Sequence, residues 1–335
     1  MGQKIFPLDS VTEAFLPMLQ CAETDSGTYL YAINRSDNSL RVFDYAQEKE
    51  LSPIRYEREG EHGVGKIAGF LVHTRDSIFL YNNHSVLLTS DQGLVNQRVL
   101  IEITGTNAFV LTSTICPMVW RDDRLYLLAT RYSHGYPPFV AVSLADKKTE
   151  EVPGFLVSPA YAQGCWGGMN YDTFYASYDP GTARWVISFP NDKNLYITDL
   201  KGDNISFPAY SQFFDTVPPP YQTQAEAAAD PQYTERFFMN PSFYFVKHDP
   251  YTGYTFRSAL QGVSKELLPL PSMFDIPMTL VILNKQHQRV GEYKLPKGVY
   301  YPVVHFITKE GLHMARRDTE NEDQLVFDVF QLSDL

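Results

Sequence analysis

The chain is poor in the features that nucleic-acid, membrane-spanning, zinc and redox proteins need. Its 28 Lys and Arg face 39 Asp and Glu, a formal net charge of −11. Lys147-Lys148 and Arg316-Arg317 are its only adjacent basic pairs. Binding to a phosphate backbone rests on clustered Lys and Arg, so nucleic acid is excluded as a partner, and so is an anionic membrane surface. The three cysteines, Cys21, Cys116 and Cys165, lie far apart, with no Cys-x-x-Cys or Cys/His group. That argues against structural zinc and predicts three buried, reduced thiols. No apolar run approaches the ~20 residues of a membrane span. The opening Met1-Gly2-Gln3-Lys4 has no signal-peptide pattern, and Phe6 stands where myristoylation wants Ser or Thr. This leaves two expectations open, a cytoplasmic protein or one whose export signal has been removed.

Catalytic signatures are missing too. No Gly-x-Ser-x-Gly occurs, and Ser133-His134 are adjacent, a poor geometry for a nucleophile and its base. Gly63-Val-Gly65-Lys-Ile-Ala-Gly69 is one residue too long for a dinucleotide fingerprint and opens no helix. The eight histidines are dispersed, with no His-x-His or His-x-x-x-His. His73, His248 and His305 fall in or beside strands expected to line a channel, but a metal needs three or four ligands at one height. No metal and no cofactor are expected.

What the chain has is aromatics and repetition. Tyr and Phe number 22 each, and aromatics make up 14% of the sequence. Such residues suit pleated, half-buried surfaces, and no long stretch shows helical periodicity. A unit of strand, tight polar turn and strand recurs about six times, most clearly in Tyr175–Leu200 (YASYDPGTARWVISFPNDKNLYITDL). Such a period signals a β-propeller. The predicted fold is all-β: one six-bladed β-propeller of four-stranded antiparallel blades, a single domain over residues 1–335. The blades span Phe15–Tyr56, Ile67–Ile103, Ile115–Val152, Thr173–Phe207, Ser242–Leu295 and Val303–Leu332. The last lacks an outer strand, and Lys4–Leu8 is predicted to supply it and close the ring. A seven-bladed alternative would need a blade in Ala209–Asn240, which reads as a loop with a helical turn.

The turns between first and second strands are short. In Asp179-Pro-Gly-Thr and Asp249-Pro-Tyr-Thr-Gly the Asp residues read as turn chemistry rather than catalysis. The opposite end carries the long loops Arg131–Pro138, Gly154–Tyr171, Pro208–Asn240 and Gln261–Pro277. Long loops on a rigid frame are where binding concentrates, and these hold exposed-looking aromatics, including Tyr161, Trp166, Tyr210, Phe213 and Tyr221.

Several segments also resemble a known group. These are Ile187-Ser-Phe-Pro-Asn-Asp-Lys-Asn-Leu-Tyr, Tyr210-Ser-Gln-Phe-Phe, His248-Asp-Pro-Tyr-Thr-Gly-Tyr-Thr-Phe-Arg257 and Phe306-Ile-Thr-Lys-Glu-Gly-Leu. They are similar to propeller-like proteins of Bacteroidetes-type bacteria, domain of unknown function family 4221. The resemblance covers mainly Trp185 to the C-terminus. It implies a cell-envelope setting and an upstream export signal with a lipid-anchor cysteine, both absent from this chain, and supplies no catalytic residues.

The leading expectation is a non-catalytic binding or sensing module of the cell envelope, monomeric, gripping a protein, peptide or glycan on its long-loop face. Tyr132, His134, Trp166, Tyr210, Tyr221 and Arg257 are the candidate ligand-binding residues. Arg257 has a second reading, a structural ion pair between blades. The alternative function is a glycan-cleaving hydrolase or lyase at the channel mouth, with Glu59, Glu61 and Asp172 on the correct face.

Overall fold

The computed structural model describes residues 2–102, 108–131, 139–152, 158–166, 171 and 173–332. Six antiparallel sheets, each with four strand positions, make the protein an all-β, six-bladed β-propeller. The chain divides into two compact units, one of residues 1–129, 139–151 and 301–334, the other of 130–138 and 152–300.

The first unit contains the ring closure. The strand Gly2–Pro7 pairs antiparallel with Gln324–Phe330, Lys4 opposite Phe327 and Phe6 opposite Leu325. Alternation along the strand decides what it buries. Phe6 is fully buried, its ring 5.5 Å from Phe43 and 6.1 Å from Phe327. Gln3 donates to the carboxylate of Asp328, which also takes Arg316 at 3.1 Å. The N-terminal strand thereby covers an edge that would otherwise stand open.

Two strand positions of this unit are broken, both beside a proline, which cannot donate to a ladder. In the third blade the expected inner strand Ile115–Trp120 is replaced by Ala108–Leu111 and Val119–Arg121, both paired with Arg124–Arg131. Before Pro117, Ser113 and Cys116 exchange backbone bonds of 3.1 Å and take the chain out of the ladder. In the first blade the outer position is split into Lys49–Glu50 and Ile54–Arg55, both paired with Ser39–Asp44. Leu51, Ser52 and Pro53 there oppose only Arg41 and Val42, which makes a β-bulge.

The second unit holds two regular blades. Tyr175–Asp179, Arg184–Ser188, Asn194–Thr198 and Asn204–Pro208 form one; Ser242–His248, Thr255–Leu260, Met278–Leu283 and Arg289–Lys294 form the other. The Asp-rich turns serve the chain. Asp179 accepts from the Gly181 backbone and the Thr182 hydroxyl, and Asp249 does the same for Tyr251 and Thr252. The 209–240 connection holds two short helices, Gln224–Ala229 and Tyr233–Met239, in place of one helical turn. Thr223 caps the first by accepting from the Glu226 backbone N–H.

The cysteines form no disulfide, and Cys116 alone is fully buried, with its thiol pushed up to about 12 by burial. Cys21 and Cys165 are half-buried, a departure from the expected three buried thiols.

Candidate binding groove

The bulge at Leu51–Pro53 opens a groove of about 710 Å³ in the first unit. Tyr29 and Tyr31 lie two apart on the strand Gly27–Asn34, so both project from one face. Tyr31 sits opposite Val42 on the next strand. With Ile54 and Ile78 these two form the floor, and Tyr31, Val42, Ile54 and Ile78 are all buried in one apolar cluster. Burial also raises the Tyr31 hydroxyl above the usual tyrosine range. Leu51, Ser52 and Pro53 form one wall, where a straight outer strand would have closed over the floor.

The second blade supplies the other wall. Arg75 lies in the turn before Ser77–Tyr81, and Asp91 and Gln92 lie in the turn after Ser85–Thr89. The two turns are tied twice, by Asp91 N–H to the Arg75 carbonyl at 2.9 Å and by Arg75 Nη2 to Asp91 Oδ2 at 3.2 Å. Gly93 then lets the turn approach the first blade. Its φ is +76°, and a Cβ built there would lie 2.4 Å from the Arg55 carbonyl oxygen. Only glycine fits both the conformation and the approach.

Two guanidinium groups stand on the rim. The side chains of Arg55 and Arg75 are 63% and 67% exposed, each near a single carboxylate, Asp37 at 3.5 Å and Asp91 at 3.2 Å. The lining thus carries two cations and one carboxylate, Asp91. Arg41 lies on the other face of its strand, buried among Asp9, Asp37 and Glu50 at 2.8, 3.0 and 3.1 Å.

Among the described residues, the expected Trp166, Tyr210, Tyr221 and Arg257 do not line this groove. Tyr132 and His134 lie outside the described residues, as does Asp172. Trp166 and Tyr221, which read as exposed, are 5% and 3% exposed. Trp166 joins Tyr171, Phe237 and Phe243 in an apolar cluster, its indole N–H donating to the Ala160 carbonyl. Tyr221 donates to Asp230, and the Arg236 guanidinium covers its ring. Tyr210 is exposed, its ring 4.9 Å from the Arg289 guanidinium.

Arg257 is fully buried, and its five donors are all used within the second unit. Nε donates to Ser188 Oγ, Nη1 to the Lys193 and Ala209 carbonyls, and Nη2 to the Phe189 and Asp192 carbonyls, at 2.6–3.2 Å. The Phe243 ring lies 3.6 Å beneath it. The expected carboxylate partner is replaced by carbonyls of the 189–193 turn, because that turn bends its peptide oxygens inwards around the fork. The arginine joins one blade to the next and leaves no donor for a ligand.

The histidines are likewise engaged separately. His73 is exposed beside Trp120, His248 is buried with Thr255 at 3.1 Å and Asp179 at 3.6 Å, and His305 is buried with the Pro302 carbonyl at 2.8 Å. Among the described residues, no group of three or more His, Cys, Asp or Glu is arranged to hold a metal ion. Also among them, no helix is long and apolar enough to cross a membrane.

On the second blade the groove is lined by short-turn residues, Arg75, Asp91 and Gln92, and on the first it reaches Arg55 opposite Ser39. The signal was present in the sequence as Ser52-Pro53 within a predicted outer strand and as Asp91-Gln-Gly93 in a turn, but each also reads as ordinary punctuation.

Comparison with known proteins gives a family and a fold. The family described as "Domain of unknown function (DUF4221)" matches residues 2–294. A solved member of that family from Bacteroides vulgatus superposes with a TM-score of 0.84 at 19% identity, over 99% of this chain and 96% of that one. A Bacteroides fragilis protein described as exported gives 0.59 at 12% identity, over 98% and 95%. No curated protein matches.

Proposed function

Since the chain belongs to the DUF4221 family, a name that assigns no chemistry, we propose that it is a non-catalytic binding module acting in the cell envelope or beyond it. The groove between the first two blades is its ligand site, and the ligand is a peptide, protein segment or glycan. The observation that carries this reading is a concavity with a floor of Tyr31, Val42, Ile54 and Ile78, a wall at Leu51–Pro53 and two exposed guanidinium groups. Its volume falls within the roughly 300–1,000 Å³ of ligand pockets. The exported character given to the similar B. fragilis protein supports the location.

Cleavage of a glycan is less well supported at this place. It needs two carboxylates about 5–9 Å apart, and Asp91 is the one acid in the lining. The test is a thermal-shift screen of peptides and oligosaccharides on the natural protein and on Ser52→Trp, which fills the groove from its wall. A ligand that stabilises the folded state raises the melting temperature. Hits lost in Ser52→Trp support the site; hits that all persist in that variant refute it.

A further inference from the structure

We infer that the groove takes an acidic peptide segment that buries one apolar side chain between two flanking carboxylates, a deepening that rests on the proposed binding function. The floor and rim ask for different things of one ligand. In the floor, Val42, Ile54 and Ile78 offer no side-chain hydrogen-bond partner, and Tyr31 brings the one hydroxyl. Burying a polar group there without a partner costs free energy. A sugar, with hydroxyl groups around its ring, fits such a floor poorly. The tyrosines do not compensate, because their ring planes are inclined by 60° at a centroid separation of 6.5 Å and make no flat platform. An aliphatic or aromatic side chain fits it well.

The rim selects charge. Arg55 and Arg75 are held near their carboxylates through one nitrogen each, so donors remain on both forks. A guanidinium offers five donors in a geometry that matches a carboxylate. In a chain of net charge −11 the two guanidinium groups of this lining outnumber its one carboxylate, and complementary charge fixes partner choice and approach more than it adds raw affinity. A peptide presents both features within a few residues: an apolar side chain to the floor, with Asp or Glu on either side to the two arginines.

The experiment is fluorescence anisotropy on the full chain with labelled hexapeptides. One is Gly-Glu-Asp-Leu-Asp-Glu; the second replaces its four acids by lysine; the third replaces Leu by Gly. Tri-galacturonate serves as a competing acidic sugar. The acidic peptide should bind at least tenfold more tightly than the lysine peptide and several-fold more tightly than the glycine peptide. Arg55→Glu and Arg75→Glu should each weaken it at least tenfold with melting temperature unchanged, since both side chains are exposed. Equal binding of the lysine peptide, or tri-galacturonate binding while the acidic peptide does not, overturns the inference. If the peptide fails while another hit is still lost in Ser52→Trp, the acidic-peptide inference alone is wrong. If no ligand depends on Ser52, the groove itself is wrong.

Discussion

At the scale of single residues, Arg257 and His313 are buried polar groups whose hydrogen-bonding atoms are all engaged locally, and His313 carries a pH dependence. His313 is fully buried, with Nδ1 donating to the Gly311 carbonyl at 3.0 Å and Nε2 accepting from the Tyr45 hydroxyl at 2.8 Å. Its ring stacks on Phe306 at 4.4 Å. Burial pushes its titration down to about 4, and nearby Lys4 acts in the same direction, against the Gly311 carbonyl and Glu310. The folded value lies below the unfolded value of about 6.5. Between these limits the unfolded chain holds more protons, so stability rises with pH and is lost as pH falls from about 6.5 towards 4. At about 1.4 kcal/mol per pH unit, the loss from this group approaches about 3 kcal/mol. Urea unfolding at pH 7 and pH 4.5 should show a steeper loss for the natural protein than for His313→Gln; equal losses would show that His313 does not titrate this way.

The same scale explains why so few site residues were legible. Arg257 stands out in the sequence as a charge within a strand, but what surrounds it depends on a turn 64–69 residues away. Periodicity cannot report that its partners are carbonyls. Trp166 and Tyr221 look exposed because each sits in a long loop, whereas Trp166 packs on Tyr171 and Phe237 and Tyr221 is buried against Asp230 and Arg236.

At the scale of elements, the sequence was more informative where a pattern is local. Strand–turn–strand units with Asp-Pro-Gly and Asp-Pro-Tyr-Thr-Gly turns fall where their turn chemistry puts them. Ring closure was readable because Lys4–Leu8 alternates and the last blade is short of a strand; the observed partner runs Gly2–Pro7. The broken strands were not readable as such, since a proline in a strand signals an interruption but not the cavity it leaves. Closure makes a quantitative prediction. Phe6→Ala removes a fully buried ring that contacts both its own sheet and Phe43. A loss of about 3–5 kcal/mol is expected for such a change, read from the urea midpoint. A loss below about 1 kcal/mol would mean that the N-terminal strand contributes little to holding the ring closed.

At the scale of the whole molecule, a regular frame is interrupted at one outer strand, and the interruption is where a ligand fits. The chain is acidic overall, with 39 carboxylates to 28 basic groups, while the groove lining carries two guanidinium groups and one carboxylate. The short turns of the second blade, which read from sequence as mere chain reversal, line the concavity, where Pro53 opens one wall and Gly93 allows the other to approach. The most direct test is hydrogen–deuterium exchange of the full chain with and without the acidic hexapeptide Gly-Glu-Asp-Leu-Asp-Glu. Protection of amides within 51–56 and 89–93, absent with the lysine peptide, is the predicted result. Protection confined to the long loop 208–240, with 51–56 and 89–93 unchanged, would contradict it.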